Sequence, residues 1–302
     1  MQLTRREFIT TASSALLVNS LPTAAPYAGK LCFFSKHVLD PDWQRLAQTV
    51  KRAGFTGIDL TVRPGGHVEP ARAAEDLPKA VAAIRAESLE VPMITTGLTV
   101  AEDATAQPIL AAAGKLGVSY FKPGYYKYAY VNIRREQEQA AQAFRGLVEL
   151  GSQHKVQAGF HNHAGYIGGP IWDFAPFIET MDARWTGYYF DPRHTFAEGG
   201  AGAWKSALLH ITPRIKMMAV KDFYWEKTAK GWGVKDCPLG EGMVDWKFVL
   251  KSLAQANFHG PISLHIEYEI AGKTNAEKDD NTLAAAVRDL AFLKARIAEA
   301  YV

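Results

Sequence analysis

The chain has 302 residues, with 34 Lys and Arg against 31 Asp and Glu and a net charge of +3. That balance is small and forms no basic stripe, which argues against nucleic acid or an anionic membrane surface as the main partner. Apolar residues make up 48%, the composition of one globular body. Two cysteines, Cys32 and Cys237, lie far apart and fit no metal-binding spacing; the sequence leaves a disulfide between them open.

The first stretch reads as a leader, not as fold. Thr4-Arg5-Arg6-Glu7-Phe8-Ile9 has the twin-arginine form, and Thr11 to Leu21 is a short apolar run too brief to span a bilayer. An export signal over residues 1–28 is expected, with cleavage between Ala24 and Lys30. The mature protein, residues 29–302, would then be periplasmic and free of any membrane anchor.

From Lys30 onward, strand-length apolar runs alternate with amphipathic stretches. Strands are expected at Lys30–Ser35, Gly57–Val62, Val91–Thr96, Tyr120–Tyr125, Val156–His163, Trp185–Asp191, Ile215–Asp222 and Pro261–Glu269. Between them fall helical patterns. Trp43, Leu46, Ala47 and Val50 follow Asp42 as N-cap; Leu77, Ala80, Val81 and Ile84 share one face. Further helices are expected at 104–116, 134–154, 172–181, 203–210, behind Asp245, and at 280–300. Eight strands alternating with eight helices predict a single-domain α/β protein, a (β/α)8 TIM barrel. A doubly wound sheet would more naturally carry a Gly-rich phosphate loop after an early strand, and Phe34-Ser35-Lys36 is not one.

In such a barrel the working residues stand at the C-terminal strand ends. There the sequence places Arg63 and His67 (second strand), Lys122 and Tyr125 (fourth), His161 and His163 (fifth), Asp191, Arg193 and His194 (sixth), Lys221 and Asp222 (seventh), and His265, Glu267 and Glu269 (eighth). Residues two apart share a strand face, so His161 pairs with His163 and His265 with Glu267. A single histidine is most often structural. Five strands ending in His, Asp, Lys and Glu point to a site able to hold a divalent cation and keep a base free.

The motifs HNHAG (161–165), FDPRHTF (190–196), VKDF (220–223), PLGEGMVDW (238–246) and SLHIEYE (263–269) resemble the xylose isomerase-like TIM barrels, the sugar phosphate isomerase/epimerase group that includes endonuclease IV. The resemblance implies a Mn, Mg, Zn or Co ion held by a Glu, an Asp, a His and a Glu on strands five to eight. Asp191 and Glu267 match; His161 stands in place of the first Glu and Ala219 in place of the His. The implied metal set is therefore His161, Asp191 and Glu267, with catalytic groups among Glu267, His163, His194 and Lys221. Arg63, His67, Lys122, Tyr125, Arg193 and Asp222 are the substrate contacts expected, with Glu241 of the PLGEGMVDW motif beside them.

The reaction implied is proton abstraction next to a carbonyl on a sugar or keto-sugar, giving isomerisation or epimerisation. Because one family carboxylate is missing, lysis or hydration of a 3-keto-glycoside is the runner-up, and a non-catalytic sugar-binding barrel the alternative outside enzymology. The expected partner is a small sugar or glycoside, with no nucleic acid; oligomeric state is left open.

Overall fold

The computed structural model describes residues 25–302. The twin-arginine segment with Arg5 and Arg6 lies outside them. Packing against the barrel already includes Tyr27, whose hydroxyl donates to Gly260 O at 2.6 Å and whose ring meets that of Tyr301 edge-on.

The elements are β1 (Leu31–Phe34), α1 (Trp43–Arg52), β2 (Gly57–Val62), α2 (Ala73–Ala86), β3 (Glu90–Thr96), α3 (Ala106–Lys115), β4 (Tyr120–Lys122), α4 (Ile133–Gln153) and β5 (Gln157–His161). They continue with α5 (Ala175–Glu179), β6 (Thr186–Phe190), α6 (Pro192–Ile211), β7 (Ile215–Val220), β8 (Asp222–Thr228), β9 (Gly231–Cys237), α7 (Trp246–Gln255), β10 (Ile262–Leu264) and α8 (Asn275–Ala300). Eight strands close into a parallel barrel in the order β1-β10-β7-β6-β5-β4-β3-β2. Closure is made by β1, where Leu31 pairs with Ile262 of β10 on one side and Cys32 with Gly57 of β2 on the other. The expected fold is the observed one.

Alternation along the strands separates two apolar layers. Ile58, Leu60 and Val62 of β2, like Met218 and Val220 of β7, join the large core between sheet and helices. Met93, Tyr189, Met217 and Ala219, with Tyr120 against them, form a separate cluster inside the ring. This plug fills the barrel axis. Inward-facing residues beyond it therefore open on the C-terminal mouth.

Helix starts follow the capping residues. Asp42 accepts from Arg45 N at 2.8 Å, Asn132 from Arg135 N, Asp245 from Phe248 N and Thr274 from Glu277 N. The α1 face buries Leu46, Ala47 and Val50; full burial of a Leu or Val is worth ~1.5–3 kcal/mol.

Several boundaries differ from expectation. Regular pairing in β5 ends at His161 and in β10 at Leu264, because the residues beyond turn to polar partners in the mouth. The sixth helix starts at Pro192 rather than 203, since Asp191 caps it and Gly200, at φ 63°, absorbs a kink that reads as a break in the sequence. The fifth helix shrinks to five residues. The antiparallel hairpin of β8 and β9 has no counterpart among the expected elements, because its half-exposed alternation with Trp225 and Trp232 at the surface lacks a buried face. Both cysteines are buried and free.

Asp222, expected against substrate, instead holds this hairpin to the PLGEGMVDW loop. Its carboxylate accepts from Phe223 N (2.9 Å), Gly240 N (3.0 Å), Val244 N (3.2 Å) and Trp246 Nε1 (2.8 Å). A Cβ at Gly242 would overlap that carboxylate. Asp222→Ala would leave these donors buried without an acceptor. Urea unfolding is expected to show a loss of more than about 3 kcal/mol, and a loss below about 1 kcal/mol would show that the carboxylate is not the anchor.

Candidate active site

Asp191 is the centre of the mouth. Its carboxylate is wholly buried, and Oδ2 lies 3.3 Å from His161 Nε2, 3.2 Å from Lys221 Nζ and 3.7 Å from His194 Nε2. Oδ1 accepts from the backbone N–H of His194 at 3.2 Å, capping α6 so that the helix N-terminus adds positive potential. Asn162, buried, ties the two strand ends together: its amide donates to Asp191 O and Thr195 Oγ1, and its oxygen accepts from Asp191 N.

Burial alone would push the Asp191 carboxyl upward; Lys221, His194 and His161 outweigh it and hold the group well below the usual carboxylate range. Burial also keeps His161 and His194 neutral, well below the ordinary histidine range. The Lys221 ammonium is therefore the charge that keeps Asp191 ionised.

Partners dictate the tautomers. His161 faces the carboxylate through Nε2, so Nε2 carries the proton and Nδ1 accepts from the Tyr125 hydroxyl at 3.0 Å. Arg193 donates to His194 Nδ1 at 3.0 Å while also pairing with Asp236. That leaves the proton of His194 on Nε2. His163 meets the Ala164 carbonyl through Nδ1 at 2.9 Å, which leaves Nε2 with its lone pair open. Burial, followed by Lys221, lowers His163 to about 4.

Glu267 stands across Lys221 from Asp191, with Oε1 4.0 Å from Lys221 Nζ and Oε2 3.0 Å from Lys36 Nζ. It retains 23% side-chain exposure, so a substrate can reach it. Burial opposes its ionisation, but His265 and Lys221 hold it well below the usual range. His265 Nδ1 is 3.8 Å from Oε1, beyond hydrogen-bond length, so the ammonium is the firmer cause.

Other expected contacts divide. Lys122 is buried at the end of β4 with Nζ 3.4 Å from the Tyr125 ring centroid; burial, then Arg63, pulls it well below the usual lysine range. Arg63 stands over the Phe34 ring. His67 instead braces the β2 loop, its ring bonded to Thr61 Oγ1 and Asp40 O, and lines a small cavity of about 150 Å³ with Lys36 and Arg63. Glu241 lies outside the mouth, in an open groove of about 600 Å³ shared with Tyr268 and Arg288.

The sequence reading missed a polar string inside the barrel. Asp59, fully buried, accepts from Thr95 Oγ1 (2.7 Å), Ser263 Oγ (2.9 Å) and the Tyr189 hydroxyl (2.9 Å), and Tyr189 in turn meets His265 Nε2 at 2.9 Å. A lone carboxylate in the apolar run GIDLTV was the available signal. His37 was missed as well, having no motif around it.

A model of the xylose isomerase-like TIM barrel family matches residues 47–296. The chain belongs to this family. A search of curated protein sequences found no match. Among solved structures, the chain is similar to an L-ribulose 3-epimerase at 17% identity, with 90% of this chain and 95% of that one covered and a TM-score of 0.65. It is similar also to the apo form of 3-keto-D-glucoside 4-epimerase from E. coli, at 14% identity, 88% and 99% coverage and a TM-score of 0.66. A third is a xylose isomerase-like TIM barrel protein from Mycobacterium smegmatis in complex with magnesium, at 14% identity, 88% and 99% coverage and a TM-score of 0.62. These identities speak to the fold.

Among the described residues two groups of three side chains have the composition to hold a metal: His161, Asp191 and His194, and His37, His265 and Glu267. Of the set expected from the family resemblance, His161 and Asp191 come together while Glu267 falls in the other group. The first group fits an ion poorly. His161 donates its Nε2 proton to Asp191, the protonated Nε2 of His194 stands 3.7 Å from it without a hydrogen bond, and the Lys221 ammonium already neutralises the carboxylate. Ala219, in place of the family histidine, lies inward in the plug beneath.

Lys221→Met is expected to leave Asp191 buried without its counter-charge. A depressed carboxylate stabilises the fold above its unfolded pKa of ~3.9, and that stability is lost as pH falls through the folded value. The variant should therefore lose about 3–5 kcal/mol at neutral pH, and the gap should close on acidification below pH ~4, as read from urea midpoints across pH.

Proposed function

We propose that this chain is a sugar isomerase/epimerase-like enzyme that removes a proton from the carbon beside the carbonyl of an unphosphorylated keto-sugar. One juxtaposition carries the reading: an ionised, reachable Glu267 stands beside the Lys221 ammonium in a mouth that also holds the neutral imidazole of His163. Glu267 takes the proton, the bonding pair moves to the carbonyl oxygen, and Lys221 stabilises the developing enolate. The open Nε2 of His163 takes up a proton from solvent and delivers it to the carbon, and Glu267 gives its proton to solvent to restore the starting state. The printed activities of the similar structures, 3-epimerisation of L-ribulose and 4-epimerisation of a 3-keto-glucoside, support this class of chemistry. No step needs an ion at Asp191.

Glu267→Gln keeps the shape and removes the base. It should lower kcat by ~10²–10⁴ with little change in KM. Solvent deuterium should enter the carbon beside the carbonyl in wild type, read by NMR. A stereoisomeric product supports epimerisation, and a released aglycone with an unsaturated or hydrated keto-sugar shows lysis instead. Sugar binding without exchange, unaltered in Glu267→Gln, would leave a binding barrel.

We also propose that the protein is exported folded to the periplasm, a reading supported by Arg5-Arg6 and the apolar run behind it. Replacing both arginines with lysine should leave unprocessed precursor in the cytoplasm, as read by fractionation and blotting; normal processing of the double variant would overturn the proposal.

A further inference from the structure

His265 is 4% exposed and stacks on Phe34 with ring centroids 4.3 Å apart. Its two nitrogens have opposite fates. Asp59 receives three hydroxyl donors, so Tyr189 gives its proton to Asp59 and accepts from His265 Nε2. The proton of His265 is therefore on Nε2, and Nδ1 presents a lone pair to the mouth. Among the described residues Nδ1 has no hydrogen-bond partner, and neither does the buried Nε2 of His37 on the turn after β1. Glu267 Oε1 faces His265 Nδ1 at 3.8 Å. A lone pair and a carboxylate oxygen so placed repel unless a cation lies between them.

We propose that His37, His265 and Glu267 form a binding site for a zinc-class divalent cation, separate from the Asp191 cluster. The ligand atoms of the three all lie within 4.8 Å of one another. Zinc holds nitrogen and oxygen at ~2.0–2.2 Å, so the side chains need close by roughly 1 Å. Two imidazoles and one carboxylate suit Zn²⁺ or Co²⁺ rather than Mg²⁺ or Ca²⁺, and three protein ligands leave a coordination position open. The string from His265 through Tyr189 to Asp59 is the support such a ligand uses: it fixes the tautomer and the ring orientation. Lys36, 42% exposed, is the present counter-charge on Glu267 and can swing into solvent. The inference stands on donor geometry and does not require the sugar reading.

The test is titration of chelator-treated protein with cobalt(II), read by visible absorption and by equilibrium dialysis. Wild type should bind a single equivalent with a tetrahedral or five-coordinate spectrum that zinc displaces. His37→Gln and His265→Gln should weaken binding by more than tenfold, Tyr189→Phe by ~10–100-fold without touching a ligand, and Lys36→Met should tighten it. His194→Gln, which disables the other cluster, should leave the spectrum unchanged. Circular dichroism checks folding, and His37→Gln, at a half-buried position, decides if His265→Gln does not fold. No cobalt bound by wild type, affinity unchanged in His37→Gln, or binding lost in His194→Gln instead would each overturn the proposal.

Discussion

The mouth of this barrel is organised by one contact, the Lys221 ammonium 3.2 Å from a carboxylate with no solvent exposure. A buried carboxylate without a counter-charge would take up a proton. With Lys221 in place, Asp191 stays ionised, orients His161 and His194 through their Nε2 atoms, and caps α6. The same ammonium reaches towards Glu267 at 4.0 Å, where Lys36 adds a second positive charge at 3.0 Å.

A second constraint lies deeper, where Asp59 gathers hydroxyl protons from Thr95, Ser263 and Tyr189. Burial raises the Asp59 carboxyl above its ordinary value, and the three donors work against that rise. The result is a rigid floor beneath the mouth. Its influence is directional, since it settles which nitrogen of His265 faces the opening.

These two anchors divide the mouth into unlike halves. Around Asp191 the protons of His161 Nε2 and Lys221 Nζ have an anion to point at. Around Glu267 the Nδ1 of His265 faces the carboxylate with its proton on Nε2. That asymmetry lets one side serve as a fixed electrostatic frame and the other take up a proton or a cation.

Barrel architecture was legible in the chain because it rests on local periodicity: alternation within strands, capping residues such as Asp42, and apolar helix faces all lie within a few positions of one another. The strand-end clusters were legible for the same reason, as His161 with His163 or Asp191 with His194. A motif says which residues recur, not which way they turn, so the expectation of Asp222 against substrate misses its role; three of the four N–H donors around it come from a loop 18 to 24 positions away. Nor could the hairpin of β8 and β9 be read from a pattern that lacks a buried face.

What the sequence determined alone is the order of elements and the residue types brought to the mouth. Charge placement was decided only by the tertiary structure. His161 and Asp191 stand 30 positions apart, Asp59 and Ser263 stand 204 apart, and Lys36 and Glu267 stand 231 apart. Which nitrogen of a histidine carries its proton depends on such distant partners, because a tautomer follows from the donors and acceptors that closure of the barrel sets around it.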